Sequence, residues 1–447
     1  MHDYTDSTDE LADAVIDYAR WRTRLDPIPL DGWKTADELA AECGPTITPE
    51  GLGGLVALEL FKETLGPACL SVDYPRYLSF VPAAPTEAAV LFDLVVGASS
   101  IYGGSWIEGS GAAYAENEAL RWLADLAGMP AETGGTFVPG GTLGNLSALV
   151  AAREAAKAKG QSADRWAFIA SDTAHSSVAS GALVMDADVI VVPTGSDYRL
   201  RADAVAAALD EHGERIFAVV TTAGSTNIGV IDDLQGVGVL CRSRDVWMHV
   251  DGAYGAAALA APSARPQFDG IEHADSLIVD PHKWLFAPFD CCALLYRNPD
   301  HGRAAHAQHA GYLEFLDDYG DWNPSDFAIQ LTRRTRGLPF WFSLATYGTD
   351  AYATAIQVTL DLATSAADLI RDADHLELTV EPNLSIVVFE RTGWSADEYQ
   401  RWSQKTMEDG HAFVVPSRHE GRPVFRFCFV NPRTTVDDIK SIISLLG

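Results

Sequence analysis

The sequence predicts an α/β protein built on a mostly parallel central sheet, followed by a small α+β domain at the C-terminus. Three observations carry this. Short, continuous apolar runs recur at residues 166–170, 189–192, 216–221, 247–250, Ser276–Val279 and 293–296. Helical patterns such as Ala202–His212 separate several of them, as crossovers between parallel strands require. From residue 340 the order changes to a long helix, two strands and two helices around an antiparallel sheet. The expected division is an N-terminal helical segment at 1–75, a large domain at 76–345 and a small domain at 346–447.

The totals agree with this size. The chain has 447 residues and is 47% hydrophobic, enough for a substantial core. The 32 basic and 62 acidic residues give a net charge of −30, which argues against nucleic acid and anionic membrane surfaces as partners. Six cysteines, two of them adjacent and none in a CxxC pair, form neither a disulfide framework nor a zinc pattern. Together with a polar, acidic start, this gives the expectation of a cytoplasmic protein with no membrane span.

Leu11, Val15, Tyr18 and Ala19 recur at helical spacing, and Pro27 and Pro29 close that first helix. A second helical pattern lies near 51–65. Residues 74–82 form an aromatic, proline-broken loop that reads as a cover for the core. Ile101-Tyr102-Gly103-Gly104-Ser105-Trp106 is a similar loop, and a helix at 112–127 follows with Leu120, Leu123 and Leu126 on its apolar face. Phe137-Val138-Pro139-Gly140-Gly141-Thr142 then leads into a strong helical pattern at 143–159. A glycine turn opening a helix presents free N–H groups and the positive dipole end, an anion site with phosphate as its usual occupant.

The residues with chemistry fall at the ends of the apolar runs, where open α/β sheets bind ligands. They are His175, Thr222 in the Thr221–Thr226 turn, Asp251 and Lys283. Lys283, just past a buried strand, is costly unless paired or neutralised. An aldehyde cofactor gives such a lysine a purpose: the amine forms an imine with it, and a neighbouring carboxylate keeps its ring nitrogen protonated. His301, His306 and His309 sit in a charged loop and read as solvated. Leu331-Thr332-Arg333-Arg334-Thr335-Arg336 is either a salt-bridge hub or an anion contact. Arg76 and Glu108 read as solvated charges. A long helix at 340–366 leads into strands at 384–390 and 424–430 and helices at 395–408 and 436–446.

Taken together, several strings resemble the group II pyridoxal-phosphate decarboxylases, which include aromatic-amino-acid, glutamate and 2,4-diaminobutyrate decarboxylases. They are Gly140-Gly141-Thr142-Leu143-Gly144-Asn145-Leu146, Ser171-Asp172-Thr173-Ala174-His175-Ser176-Ser177-Val178, His249-Val250-Asp251-Gly252-Ala253-Tyr254, Asp280-Pro281-His282-Lys283-Trp284 and Asn431-Pro432-Arg433-Thr434-Thr435. The resemblance runs from about Tyr74 to the C-terminus. It implies the aspartate-aminotransferase-like type I fold, pyridoxal 5′-phosphate as cofactor, and a homodimer with active sites at its interface. Lys283 would be the imine-forming lysine, Asp251 the partner of the ring nitrogen, and His175 and Ala253 the two faces of the ring's slot. Gly141 and Thr142 would hold the phosphate, with Asp280 and His282, and Thr222 would join the cofactor contacts. Arg426 would meet the substrate carboxylate, Phe80 would line the substrate site, and Tyr102 and Trp106 would reach it across the interface.

The implied reaction is decarboxylation of an L-amino acid, or an amino-acid-like metabolite, to an amine through a Lys283 Schiff base. In this family a tyrosine before the arginine cluster often returns a proton to the α-carbon. Asn323-Pro324-Ser325 stands in that place here, and Tyr312 and Tyr319 are the nearby candidates. Loss of that donor leads, in similar enzymes, to oxygen attack and an aldehyde product; transamination is a further alternative on this fold.

Overall fold

The computed structural model describes residues 3–308 and 322–447. The chain opens with helices Asp6–Thr23, Ala36–Cys43 and Gly54–Leu60, the last running into a π turn, Phe61–Leu65. Periodicity had not singled out the second helix, which is fixed by a capping box between Thr35 and Glu38. Helices Glu87–Ser99 and Trp106–Leu126 follow; the second begins six residues before the expected 112 and is kinked near its start, where Gly109 is non-helical at φ −143° and ψ 37°.

The central sheet has seven strands: β1 (Gly134–Val138), β2 (Ala167–Ser171), β3 (Asp188–Val192), β4 (Ile216–Thr222), β5 (Trp247–Asp251), β6 (Ser276–Val279) and β7 (Cys292–Tyr296), in the order β1-β7-β6-β5-β4-β2-β3. β2 to β6 pair in parallel with β3 at their edge, and β7 alone runs antiparallel to its neighbours β6 and β1. The sequence patterns did not single out β1. Its glycines are required there, because a methyl group on Gly135 would meet Leu294 O of β7 at 1.8 Å.

Alternation along the strands separates two cores. Phe168, Ala170, Ala218, Val220, Trp247 and Ile278 pack under helices Gly141–Ala158 and Ser176–Met185. Ile169, Val219, Met248, Val250, Leu277 and Val279 enter the core of the opposite face, with helices Ala202–His212 and Leu234–Arg244. Both faces are therefore covered, as the unbroken apolar runs require.

The helix expected at 340–366 is two helices, Leu338–Tyr347 and Thr349–Arg371, because Gly348 between them has φ +79°. A four-stranded antiparallel sheet follows: β8 (Leu376–Asn383), β9 (Ile386–Arg391), β10 (Ser417–His419) and β11 (Arg422–Cys428), in the order β10-β11-β9-β8. Helices Ala396–Glu408 and Val436–Ser444 complete this unit, which shares a core with Thr349–Arg371. No described helix is long and apolar enough to cross a membrane.

Candidate active site

Strand β5 reads Trp247-Met248-His249-Val250-Asp251. Met248 and Val250 serve the far core, so Trp247, His249 and Asp251 face helix Gly141–Ala158. In the parallel register with β6, His249 lies opposite Ser276 and Asp251 opposite Ile278. The helix presses closely on this face: a methyl group on Gly144 would lie 2.8 Å from Ile278 Cγ2. One on Gly141 would lie 3.2 Å from Asp280 Oδ2. The first N–H groups of the helix thus end directly over the ends of β5 and β6, with the positive end of its dipole.

Asp280 follows β6 and precedes a single helical turn, Pro281–Trp284, that carries Lys283. Lys283 Nζ is 2.8 Å from Asp280 Oδ2. Burial alone would lower the lysine, but the Asp280 carboxylate, by charge and hydrogen bond and with help from Asp251, outweighs it and holds the ammonium above its ordinary value. Burial lowers His282, whose Nε2 is 3.8 Å from the same carboxylate oxygen.

These groups border one cavity of about 410 Å³. Gly141, Thr142, His175, Thr222, Asp251, Ala253, Asp280, His282 and Lys283 all line it. Phe80, Tyr102, Trp106 and Arg426 are not among its lining residues. Phe80 is 61% exposed and accepts from Arg426 Nη1 at 2.6 Å through its carbonyl. Tyr102 donates its hydroxyl to Leu331 O, and the Trp106 N–H donates to Asn323 Oδ1. Tyr312, Tyr319 and His309 lie outside the described residues.

A buried hydrogen-bond chain ties the site together, and its direction follows from donor chemistry. Trp247 Nε1 donates to Ser276 Oγ at 2.9 Å, and the Ser276 hydroxyl donates to His249 Nδ1 at 2.8 Å. His249 Nε2 then donates to Asn145 Oδ1 at 2.8 Å. The Asn145 amide divides its two protons between Asp251 Oδ2 (2.9 Å) and Ser177 Oγ (3.0 Å). Ser177 passes its hydroxyl proton to His175 Nδ1 at 2.8 Å, which also accepts the Ser177 backbone N–H. Nδ1 of His175 is therefore an acceptor, and the ring proton sits on Nε2. Burial pushes His249 down to about 4, against the pull of Asp251, so it serves as a neutral link. Asn145, Ser177 and His249 were quoted only as parts of motifs. The signal available was a polar side chain at a sheet-facing position of an otherwise apolar helix, and a histidine inside a buried strand.

Two expectations about charge are decided by contacts. Arg333 Nη2 pairs with Glu116 Oε2 at 2.8 Å, with both side chains almost fully buried, and its donors reach Gly103 O and Phe137 O. Arg334 pairs with Asp93 and Arg336 with Asp290. The arginine cluster is thus a salt-bridge hub rather than an anion contact. Arg76 is no solvated charge either; it pairs with Asp438 at 3.7 Å and contacts the His411 ring. Likewise His306 is buried, with Nε2 donating to Ser147 O, and His301 lies against Trp247. No metal-binding cluster occurs among the described residues.

Residues 56–392 match the pyridoxal-dependent decarboxylase conserved domain. The chain belongs to the pyridoxal-dependent decarboxylase family. It is 29% identical over 449 residues to the aromatic-L-amino-acid decarboxylase of Bacillus atrophaeus, covering 97% of this chain and 92% of that one. It is also 29% identical over 392 residues to the L-2,4-diaminobutyrate decarboxylase of Rhizobium meliloti (strain 1021), covering 84% and 78%. A crystal structure of Oryza sativa TDC with PLP and tryptamine superposes with a TM-score of 0.89 at 25% identity, covering 98% of this chain and 96% of that one. The fold is therefore type I, the enzyme is a carboxy-lyase, and its cofactor is pyridoxal 5′-phosphate. The residues present fit that group. A helix start faces the cavity for the phosphate, and a carboxylate and a lysine stand at adjacent strand ends. In addition, the buried Thr222 hydroxyl, at the wall of the cavity, has no partner among the described residues.

Proposed function

We propose that this decarboxylase converts an L-amino acid to its amine and carbon dioxide, with Lys283 as the residue that attaches the cofactor. The observation that carries this reading is the meeting of Lys283, Asp251, His175 and the start of helix Gly141–Ala158 around one cavity. When bound, pyridoxal phosphate supplies the electron sink beside the substrate's α-carbon. The N–H groups at Gly141 and Thr142 hold its phosphate. Asp251, fixed by Asn145 and by the Ala253 N–H at 3.2 Å, holds the proton on its ring nitrogen. His175 covers one face, with its proton on Nε2, and Ala253 the other. Thr222 adds its hydroxyl, and His282, kept neutral by burial, lines the side of Lys283.

Arg426 is 6% exposed, and its Nε and Nη2 have no hydrogen-bond partner among the described residues. A buried guanidinium with a free edge suits a carboxylate. Phe80, whose carbonyl fixes the other side of that guanidinium, is the adjoining substrate contact. The reading also includes a homodimer. The N-terminal segment 1–75 and the neighbouring helix leave Ile16, Trp21, Leu55, Val56, Phe61, Leu94 and Val95 exposed, an apolar surface that a second copy would cover. Tyr102 and Trp106, outside their own chain's cavity, then belong to the partner's site. Residues 76–345 would form the cofactor domain and 346–447 the small domain, in a cytoplasmic enzyme.

The test is incubation of the purified protein with pooled L-amino acids, with and without oxygen, and identification of products by mass. Amine and carbon dioxide are expected under both atmospheres. An oxygen-dependent aldehyde, or keto acid with pyridoxamine phosphate and no carbon dioxide, would overturn the amine assignment. Borohydride reduction followed by peptide mapping should place the cofactor's mass on Lys283.

A further inference from the structure

Asp280 was expected among the phosphate contacts, yet its environment suits another task. Its side chain is 1% exposed, Oδ2 lies 2.8 Å from Lys283 Nζ, and Oδ1 is buried without a hydrogen-bond partner among the described residues. A carboxylate repels a phosphate, whereas it attracts an ammonium. The other titratable groups that interact with the lysine include His282 from its own turn, Asp251 from the end of β5, Cys292 from β7 and Cys428 from β11, the last a thiol raised by burial. Burial lowers His282 and raises Cys292 and Cys428, so these three are neutral. Lys283 is then the cation that answers Asp280.

We propose that Asp280 is the counter-ion and immediate proton acceptor of Lys283, holding it as an ammonium whenever the lysine is free of the cofactor and taking its proton when the amine must act as a nucleophile. In that step one Nζ–H bond breaks, its electron pair stays on nitrogen, and the proton bonds to the facing carboxylate oxygen. An ammonium–carboxylate pair becomes an amine and a carboxylic acid, with no change in net charge. The pair favours its charged form, so the transfer is uphill and is drawn forward only as the amine is consumed; because the two groups already touch at 2.8 Å, it needs no water and no outside base. The inference rests on Lys283 as the attachment residue, and it adds the group that sets when that residue is reactive.

The experiment uses the cofactor-free protein. Lys283 is labelled competitively with acetic anhydride across a pH series, and the extent at its peptide is read by mass spectrometry. Only the neutral amine reacts, so the midpoint reports its titration. The wild-type midpoint should lie above that of an ordinary lysine, about 10.4. Asp280→Asn keeps the shape and a hydrogen-bond acceptor but removes the charge. Its midpoint should fall by at least about one pH unit, so that labelling at a pH below both midpoints rises at least about tenfold. Equal midpoints in the two proteins would overturn the proposal. So would a wild-type midpoint at or below the ordinary value, a measurement that decides the matter even if Asp280→Asn does not fold. A wrong attachment residue would show separately, as borohydride-fixed cofactor on a lysine other than Lys283.

Discussion

Replacing Asn145 with leucine tests the chain of hydrogen bonds at the wall of the cavity. The side chains are similar in size, so the change removes polar contacts more than volume. Three contacts disappear: 2.9 Å to Asp251 Oδ2, 2.8 Å from His249 Nε2 and 3.0 Å to Ser177 Oγ. The first is charge-assisted, a class that contributes about 1.5–3 kcal/mol. The second leaves a fully buried ring N–H with no acceptor, at a cost of about 1–3 kcal/mol. Ser177 keeps His175 as its partner, so the third costs little. The expected loss is about 3–5 kcal/mol, read by urea unfolding of the cofactor-free protein. Cofactor affinity, read by fluorescence titration, should fall as well, because Asp251 and His175 both lose their common tie. His249→Phe in the same background should add less than it costs alone, since the orphaned donor is then gone. A single-variant cost below about 1 kcal/mol, or strictly additive variants, would refute the network.

His249 also sets a pH dependence. Its folded value of about 4 lies below its unfolded value of 6.5, so the unfolded chain takes up a proton first as the pH falls. The stability it contributes is complete above 6.5, is lost as the pH falls toward 4, and amounts to roughly 3 kcal/mol. His249→Gln should remove about one proton from the slope of unfolding free energy against pH in that window, and equal slopes would contradict the assignment. Arg333→Met leaves Glu116 charged and buried, which costs about 3–5 kcal/mol by thermal or chemical unfolding. Adding Glu116→Gln to that variant should recover part of the loss.

The sheet was legible because its strands are buried on both faces and so read as unbroken apolar runs. Their order along the chain placed His175, Thr222, Asp251 and Lys283 at strand ends before any coordinates. β1 was not legible, since Gly134 and Gly135 carry no side-chain pattern; Gly135 is there for the close approach of β7 and Gly134 for that of the Trp322 ring. The break at Gly348 was hidden because apolar residues continue on either side of it. The arginine cluster resisted assignment for a different reason. Glu116, Asp93 and Asp290 come from distant parts of the chain, and no local pattern joins them to Arg333, Arg334 and Arg336. The role of Asn145 was hidden likewise, because His249 and Asp251 reach it only after β5 is placed beneath its helix.

Strand β5 shows how little is needed to commit such a site. Trp247, His249 and Asp251 alternate with Met248 and Val250, and one face of the strand supplies both the hydrogen-bond chain and the carboxylate. The parallel register with β6 brings Ser276 beside His249, and two residues past Ile278 it brings Asp280 toward the same helix end. Three residues later, one helical turn returns Lys283 onto Asp280. A slip of one residue in this pairing would turn Asp251 and His249 into the apolar core on the far side, where neither has a partner. The apolar residues between them thus select the register, and the register selects the chemistry. Two carboxylates end up under one cavity with different tasks. Asp251, given N–H donors at both oxygens, suits the cofactor ring in the proposed reading, and Asp280, which meets the Lys283 ammonium at 2.8 Å, suits the lysine.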